Sequence, residues 1–292
     1  MRLKQGIRLY SLLPEGYDAV FINSGTSSYK EQTLAKVDFQ DWHFTPLFEE
    51  DAYLPKKDWR KMNTQESAII RAKTDRKDHN TIFTGYIPAE LQYIIRRLGL
   101  EQSKNREEVM QKFRDHPETV QQLNTKMQEF LSTVADNKPF HFHCIAANLP
   151  NLEMVACDIT RLRENFTVPE KRYIGLHNDG TQFMTLHTTH KAGNRITINL
   201  GNQSRIFYFV NLTMIQALNM LSEKIDVKEQ QVNIYNVSAH FFKHFPDYPV
   251  IKFIQQPYQF YIAPTDNCFH DGSTLGNTAL DINMVYFGTF RC

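Results

Sequence analysis

Apolar residues recur at helical spacing in two blocks of the first half of the chain. One block covers 91–98 and ends at Gly99, and the other opens at Pro117 with Glu118 beside it. Proline and an acid are favoured in the first turn of a helix, and glycine is favoured just past its end. The second block shares one apolar face, formed by Val120, Leu123, Met127, Phe130, Leu131 and Val134. The pattern therefore predicts two helices, the longer of which packs this face against a sheet.

After Asn137 the pattern changes to short runs rich in Ile, Val, Phe, Tyr and Thr, broken by Gly, Asn and Pro. These runs predict strands at 154–158, 160–165, 173–177, 183–188, 195–200, 205–211, 231–237, 259–263 and 281–289, besides an earlier strand at 17–23. One helix, at 214–221, interrupts them. Strands at this spacing, without alternating helices, favour an antiparallel sandwich or barrel over a doubly wound sheet. We expect an α+β protein, with a mainly helical region at 1–136 packed on a β core at 137–292.

Composition narrows the possible functions. The chain has 292 residues, 41% of them hydrophobic, and a formal net charge of +1, which is enough apolar material for a core and excludes wholesale disorder. Affinity for a phosphate backbone comes from clustered Lys and Arg, so this balance argues against nucleic acid as a partner. The aromatic content of 12% favours pleated surfaces and small-molecule pockets.

The sequence predicts neither a secretory signal nor a membrane helix. The first residues have no apolar run followed by a small-residue cleavage site, and no window approaches the roughly 18 apolar residues that a membrane helix needs. The cysteines are scattered without CxxC spacing, which favours reduced thiols over a disulfide framework or a zinc site. They are Cys144, Cys157, Cys268 and Cys292. We expect a cytoplasmic protein.

Two histidine pairs have the spacing of a metal site but lack the rest of it. His141 and His143 would lie on one face of a strand, as in cupins, but no glutamate follows them as a third ligand. His240 and His244 are four residues apart, as in HExxH, but a phenylalanine occupies the place of the glutamate. His240 and His244 are better interpreted as structural histidines, and the missing glutamate weakens the case for His141 and His143, which stay an alternative metal site.

The pair His177 and Asp179 is a stronger candidate for chemistry. Residues two apart on a strand point to the same face, so this imidazole and this carboxylate converge without backbone distortion. The apolar run 173–176 precedes them, which indicates a strand end. His270 follows another strand pattern, at 260–263, and would supply a third ligand. Two histidines and one carboxylate form the facial triad that binds Fe(II) and leaves positions open for other ligands.

Around these residues the chain resembles a known family. The segment 158–213, which contains DITRLRENFTVPEKRYIGLHNDGTQF, and the segment 263–288, which contains APTDNCFHDGST, are similar to the Fe(II)/2-oxoglutarate-dependent oxygenase superfamily, in the branch of small-molecule hydroxylases and halogenases. The resemblance implies a double-stranded β-helix, the cupin-like jelly roll, with His177, Asp179 and His270 as Fe(II) ligands. It also implies 2-oxoglutarate and O₂ as co-substrates. Halogenating members replace the carboxylate with a small residue, so Asp179 favours hydroxylation.

The chain departs from this family where the co-substrate is held. Members usually present Arg or Lys about ten residues beyond the distal histidine, but none occurs between His270 and Phe290. A guanidinium is still expected, because it holds a carboxylate in a bidentate way. We expect Arg195 or Arg291 in this role, with Ser273 adding a hydroxyl. The other candidates are Arg161, Arg163 and Arg205.

These observations lead to one principal hypothesis and two alternatives. The principal hypothesis is an Fe(II)- and 2-oxoglutarate-dependent oxygenase that hydroxylates a small molecule, such as an amino acid or a natural-product intermediate, and acts on neither nucleic acid nor membrane. The first alternative is a cupin-like protein that binds a metal without turnover, and the second is an oxygenase that acts on a protein.

Overall fold

The computed structural model describes residues 2–13, 19–72, 78–181 and 183–292. The strands are β1 (Arg8–Ser11), β2 (Val20–Ile22), β3 (Thr26–Ser28), β4 (Val37–Phe39), β5 (Trp42–Phe44), β6 (Leu47–Phe48), β7 (Tyr53–Pro55), β8 (Arg60–Lys61), β9 (Thr81–Tyr86), β10 (His141–Asn148), β11 (Arg172–Tyr173), β12 (Asn194–Asn199), β13 (Arg205–Phe209), β14 (Ile251–Gln255), β15 (Gln259–Ala263), β16 (His270–Ser273) and β17 (Asp281–Gly288). The helices are α1 (Thr64–Ile70), α2 (Ala89–Arg96), α3 (Arg106–Asp115), α4 (Pro117–Val134), α5 (Met214–Ser222) and α6 (Val237–His244).

Two sheets form the centre of the molecule. The large sheet has six strands in the order β1-β9-β15-β12-β17-β10, and only its β1–β9 pair is parallel. The small sheet has five strands in the order β16-β13-β14-β2-β8, all paired antiparallel. Large antiparallel sheets of this kind are consistent with the expected jelly roll.

Side chains that alternate along β15 show how the layers pack. Tyr261 faces the small sheet, where its ring centroid lies 4.3 Å from that of Phe207. Its neighbours Phe260 and Ile262 face the other way and join a second apolar cluster. The large sheet is therefore covered on one face by the small sheet and on the other by helices.

Helices α2 and α4 supply that second cover. Leu91 on α2 and Leu123 and Met127 on α4 are buried against Ile196 and Ile198 of β12. Full burial of one such side chain stabilises the fold by about 1.5–3 kcal/mol, so this interface is a main reason why the helices are formed. The prediction that the longer helix packs its apolar face on a sheet is confirmed.

Several other predicted elements are confirmed, with shifts of a few residues at their ends: the helix at 91–98, the helix at 214–221, and the strands at 195–200, 205–211, 259–263 and 281–289. The strand predicted at 17–23 appears as β2, and its first two residues lie outside the described part. Of the strand predicted at 173–177 only Tyr173 lies in a strand, β11, and the segment predicted as a strand at 154–158 has only an isolated bridge at Cys157. The strands predicted at 160–165, 183–188 and 231–237 are wrong. These segments form turns and 3₁₀ helices, and the last one leads into α6.

A largely helical N-terminal half is not confirmed. Nine of the described strands, β1 to β9, precede residue 87, and four of them belong to the two main sheets. These strands are two to six residues long, too short for a clear alternation, and their pairing partners are far away in the sequence. Tertiary contacts rather than local preference form them. The division at residue 136 stays a prediction. In the described part, no helix has the length and apolar character needed to cross a membrane.

Candidate metal centre

His177, Asp179 and His270 lie together at one end of the two sheets. One ligand atom from each residue falls within 4.8 Å of the others. The backbone brings them together: His177 and His270 form an antiparallel bridge through N–H···O bonds of 3.1 and 2.7 Å, and the N–H of Asp179 donates to the carbonyl of Thr265 at 3.0 Å. The segment after β11 therefore pairs with the start of β16 and with the turn before it, and the three side chains meet.

The two imidazoles present matching nitrogens to this meeting point. Nδ1 of His177 donates to the carbonyl of Gly175 at 2.9 Å, and Nδ1 of His270 to that of Cys268 at 3.3 Å. A carbonyl only accepts, so in each neutral ring Nε2 carries the lone pair. Both Nε2 atoms face Asp179, at 3.6 Å from Oδ1 for His177 and 3.5 Å from Oδ2 for His270.

Burial and neighbouring charges shift the pKa values of His177, His270 and Asp179 in different directions. Burial alone lowers the pKa of His177, but the hydrogen bond to Asp179 and the charges of Asp271 and Asp179 outweigh it and raise that pKa to about 9. Burial lowers the pKa of His270 to about 3. For Asp179, burial is outweighed by His270, His177 and Arg195, which hold its pKa well below the usual range. One proton therefore sits on the His177–Asp179 pair, and His270 stays neutral.

This donor set fits Fe(II). Two imidazole nitrogens and one carboxylate oxygen converge from one side, as in a facial triad. Each histidine is oriented by a carbonyl at its other nitrogen, which is the arrangement that metal-ligating histidines require. In the described part of the chain, no other group of three His, Cys, Asp or Glu side chains converges in this way. His141 and His143, the cupin-like pair, are not among the converging residues.

Arg195 contacts the triad directly. Its Nη1 lies 2.9 Å from Oδ2 of Asp179 and 3.1 Å from Oδ2 of Asp266, and it donates to the hydroxyl of Thr265. The guanidinium carbon lies 5.3 Å from the centroid of the Phe287 ring. Burial raises the pKa of Asp266 to about 6. The carboxylate of Asp179 is thus fixed by a cation that one further acid, Asp266, the hydroxyl of Thr265 and an aromatic ring hold in place.

Arg205 lies deeper, between the sheets, and its side chain is 5% exposed. Its Nε is 3.3 Å from Oδ1 of Asp281, and its charge interacts with the hydroxyl of Tyr261. The guanidinium passes beside Gly272, two residues after His270, where an added Cβ would lie 2.3 Å from Nη2. A buried guanidinium therefore lies beside the strand that carries His270.

Two residues expected to hold the co-substrate lie elsewhere. The backbone N–H of Arg291 donates to the carbonyl of Val134 at the end of α4, and no contact in the described part joins Arg291 to the triad. The hydroxyl of Ser273 donates to the carbonyl of Leu152 at 2.9 Å. Ser273 is three residues beyond His270 on one strand, so the two side chains point to opposite faces. The contacts in the described part join neither residue to the triad.

Thr265, Asp266 and Asp281 were not singled out by sequence reasoning. Asp281 opens a strand whose next residues alternate between the two faces of the large sheet, and a buried acid at such a position is a signal that a cation faces it. Thr265 and Asp266 lie in a short turn, where neither spacing nor periodicity indicates which side chains point inward.

No protein-family model and no curated protein matches this chain. A solved structure described as the Kdo hydroxylase KdoO, a non-heme Fe(II) alphaketoglutarate-dependent dioxygenase in complex with cobalt(II), is similar over 72% of this chain and 80% of that chain, with 11% identity and a TM-score of 0.36. A TM-score this low does not establish a shared fold. What the site can do follows from its own donor set and geometry.

Proposed function

We propose that this protein is an Fe(II)- and 2-oxoglutarate-dependent oxygenase that hydroxylates a C–H bond of a small molecule. The observation that carries the proposal is the convergence of His177, Asp179 and His270 within 4.8 Å, each histidine with its Nε2 turned toward the carboxylate. A cavity of about 430 Å³ opens onto His177 and Asp179, which gives a substrate access to the same point.

Fe(II) with 2-oxoglutarate and O₂ would supply the oxidation of the C–H bond, with release of succinate and CO₂. The side chains of His177, Asp179 and His270 would hold the metal. The carbonyls of Gly175 and Cys268 keep Nε2 of both rings free of a proton in their neutral form. Arg195 keeps the carboxylate of Asp179 ionised and oriented.

We assign the far carboxylate of 2-oxoglutarate to Arg205 rather than to Arg195 or Arg291. Two methylene groups separate the ends of this co-substrate, so its anchor must stand away from the metal. Arg195 touches the ligating carboxylate itself. Arg205 passes beside the residue two positions beyond His270 along the strand, a distance of about 7 Å. It is buried, where a bidentate pair with a carboxylate is strongest.

The test is anaerobic addition of Fe(II) and 2-oxoglutarate, followed by visible absorption. A weak charge-transfer band is expected when both bind at one centre, and succinate release across a panel of small molecules then identifies the substrate. If the protein binds Fe(II) but never gives the band, it binds a metal without this chemistry. If only polypeptides stimulate succinate release, the substrate is a protein.

A further inference from the structure

The cavity beside the triad, called here the mouth cavity, has an unusual lining. Its volume is about 430 Å³, which is within the range for small-molecule sites. Besides His177 and Asp179 it is lined by the acids Glu49, Asp51 and Asp158, and no Lys or Arg of the described part of the chain contributes to the lining. The ligand atoms of His177 and Asp179 converge with that of His270, so the cavity is marked as a ligand site independently of its acids.

Glu49 and Asp51 follow β6 in one turn, which the Glu49 carbonyl closes by accepting the N–H of Ala52 at 3.1 Å. No hydrogen bond or ion pair to either side chain occurs among the described residues. Glu50, between them in the chain, lies outside the lining and pairs with Lys30 at 3.5 Å. The turn therefore directs two unneutralised acids to the cavity and one neutralised acid away from it.

Lys171 and Arg172, cations of the described part that lie near the cavity, are outside its lining, and Nη1 of Arg172 donates to the carbonyl of Phe48 at 3.4 Å. Lys171, whose charge acts on Cys157 in the lining, is not itself a lining residue, and its Nζ lies 5.9 Å from the centroid of the Phe166 ring. Bound Fe(II) would not make the net charge around the cavity positive. The metal, Arg195 and Arg205 carry four positive charges, whereas Asp179, Asp266, Asp281 and the 2-oxoglutarate dianion together carry five negative ones. An anionic substrate would enter this cavity against its field.

An exposed ring completes the lining. Tyr235, in the segment before α6, is 65% exposed and borders the mouth cavity, as does the buried Ile234. A tyrosine face attracts an ammonium or guanidinium group, and an alkyl chain packs on isoleucine. Acids, an exposed ring and an apolar wall together suit an alkyl chain that ends in a cation.

We propose that the substrate is a small aliphatic amine or guanidine whose cationic group binds among Glu49, Asp51 and Tyr235. This inference rests on the proposed function and names the substrate class of the same site. Because the cavity is small and closed on one side by His177 and Asp179, a free small molecule fits it better than a side chain of a folded protein.

The test compares matched ligands on the full chain, loaded anaerobically with Fe(II) and 2-oxoglutarate and first shown to give the charge-transfer band. The pairs are L-arginine with L-citrulline, L-lysine with L-norleucine, and pentylamine with 1-pentanol. Calorimetry measures binding and succinate release measures turnover. The cationic member of at least one pair should bind about tenfold more tightly, and the difference should shrink as salt is raised.

Variants locate the effect. Glu49→Gln with Asp51→Asn should weaken the cationic ligand about tenfold and leave the neutral one unchanged, whereas Glu50→Gln, in the same turn, should change neither. Tyr235→Leu should weaken it about two- to fivefold.

Two outcomes overturn the inference. In one, the band forms but no cationic ligand is preferred. In the other, only a capped lysine- or arginine-containing peptide is turned over. If the band itself fails to form, the proposed function fails, and the two failures are thereby distinguished.

Discussion

Nη1 of Arg195 lies 2.9 Å from Oδ2 of Asp179, the same oxygen that faces Nε2 of His270 at 3.5 Å. The cation thus acts on the carboxylate oxygen that meets the second imidazole. Asp266, which is itself buried, contacts the same Nη1 at 3.1 Å. Arg195 is therefore a positioning residue for Asp179, the proposed metal ligand. Its removal should lower the affinity for the metal.

Replacing Arg195 by methionine should weaken metal binding about 10–100-fold, the range found when the partner of a metal ligand is lost. The affinity is measured by titration with Co(II). Arg195→Lys keeps a positive charge and should recover part of the loss, which a purely structural role would not predict. Arg291→Met is the control and should leave the affinity unchanged. Unchanged Co(II) binding in Arg195→Met would contradict the assigned role.

Arg205→Met should weaken the binding of 2-oxoglutarate and not that of the metal, the reverse of the result expected for Arg195→Met. Loss of the proposed anchor should raise KM for 2-oxoglutarate at least about tenfold, while Co(II) affinity stays within about twofold of the parent. Arg205→Lys keeps the charge but loses the bidentate fork, so its KM should fall between the two. Because removal leaves the buried Asp281 without its cationic partner, the free energy of unfolding is measured in parallel. A normal KM in a folded Arg205→Met variant would return the anchor to Arg195.

His177→Ala and His270→Ala should each abolish Fe(II)-dependent consumption of 2-oxoglutarate and leave the far-ultraviolet circular dichroism unchanged. His240→Ala is the matched control. It removes a half-buried imidazole on α6 and should retain activity within about twofold. Retained turnover in either triad variant, or its loss in His240→Ala alone, would show that the metal is bound elsewhere.

The parts of this protein that sequence predicts well are those with a repeated local signal. The apolar face of α4 and the continuous apolar run of β15 are clear signals, and the HxD pair with a distal histidine identifies the triad. Strands such as β6 and β8 have only two residues and are formed by partners distant in the chain, so no local pattern indicates them. Which arginine binds 2-oxoglutarate depends on how deeply its side chain lies between the two sheets. Periodicity gives the face of a residue but not its distance from the triad.

Metal binding should depend on pH through His177. Its pKa in the folded, metal-free chain is about 9, above the ordinary histidine value near 6.5. A raised histidine pKa stabilises the metal-free fold below about pH 6.5, and this contribution is lost as pH rises through 9. Because the metal needs Nε2 without its proton, apparent Co(II) affinity should rise about tenfold per pH unit from 6.5 to 9 and then level off.

The measurement is a series of Co(II) titrations with the pH varied in that range. His270, with a pKa of about 3, carries no proton to displace in this window and adds nothing to the slope. An affinity that stays flat between pH 6.5 and 8 would show that His177 does not hold a competing proton.

Gly272→Ala should lower the free energy of unfolding and at the same time weaken the binding of 2-oxoglutarate. A Cβ at this position would lie 2.3 Å from Nη2 of Arg205 and 3.0 Å from Cγ2 of Val155. An exposed arginine would move aside at little cost, but this one is 5% exposed and is held by Asp281. The added methyl should therefore cost about 1–3 kcal/mol in the free energy of unfolding and raise KM for 2-oxoglutarate, because the guanidinium must leave its position. Gly201→Ala is the control: its Cβ would have no heavy atom closer than 3.3 Å, so a small effect is expected. Destabilisation with an unchanged KM would show that Arg205 packs the interior without contacting the co-substrate.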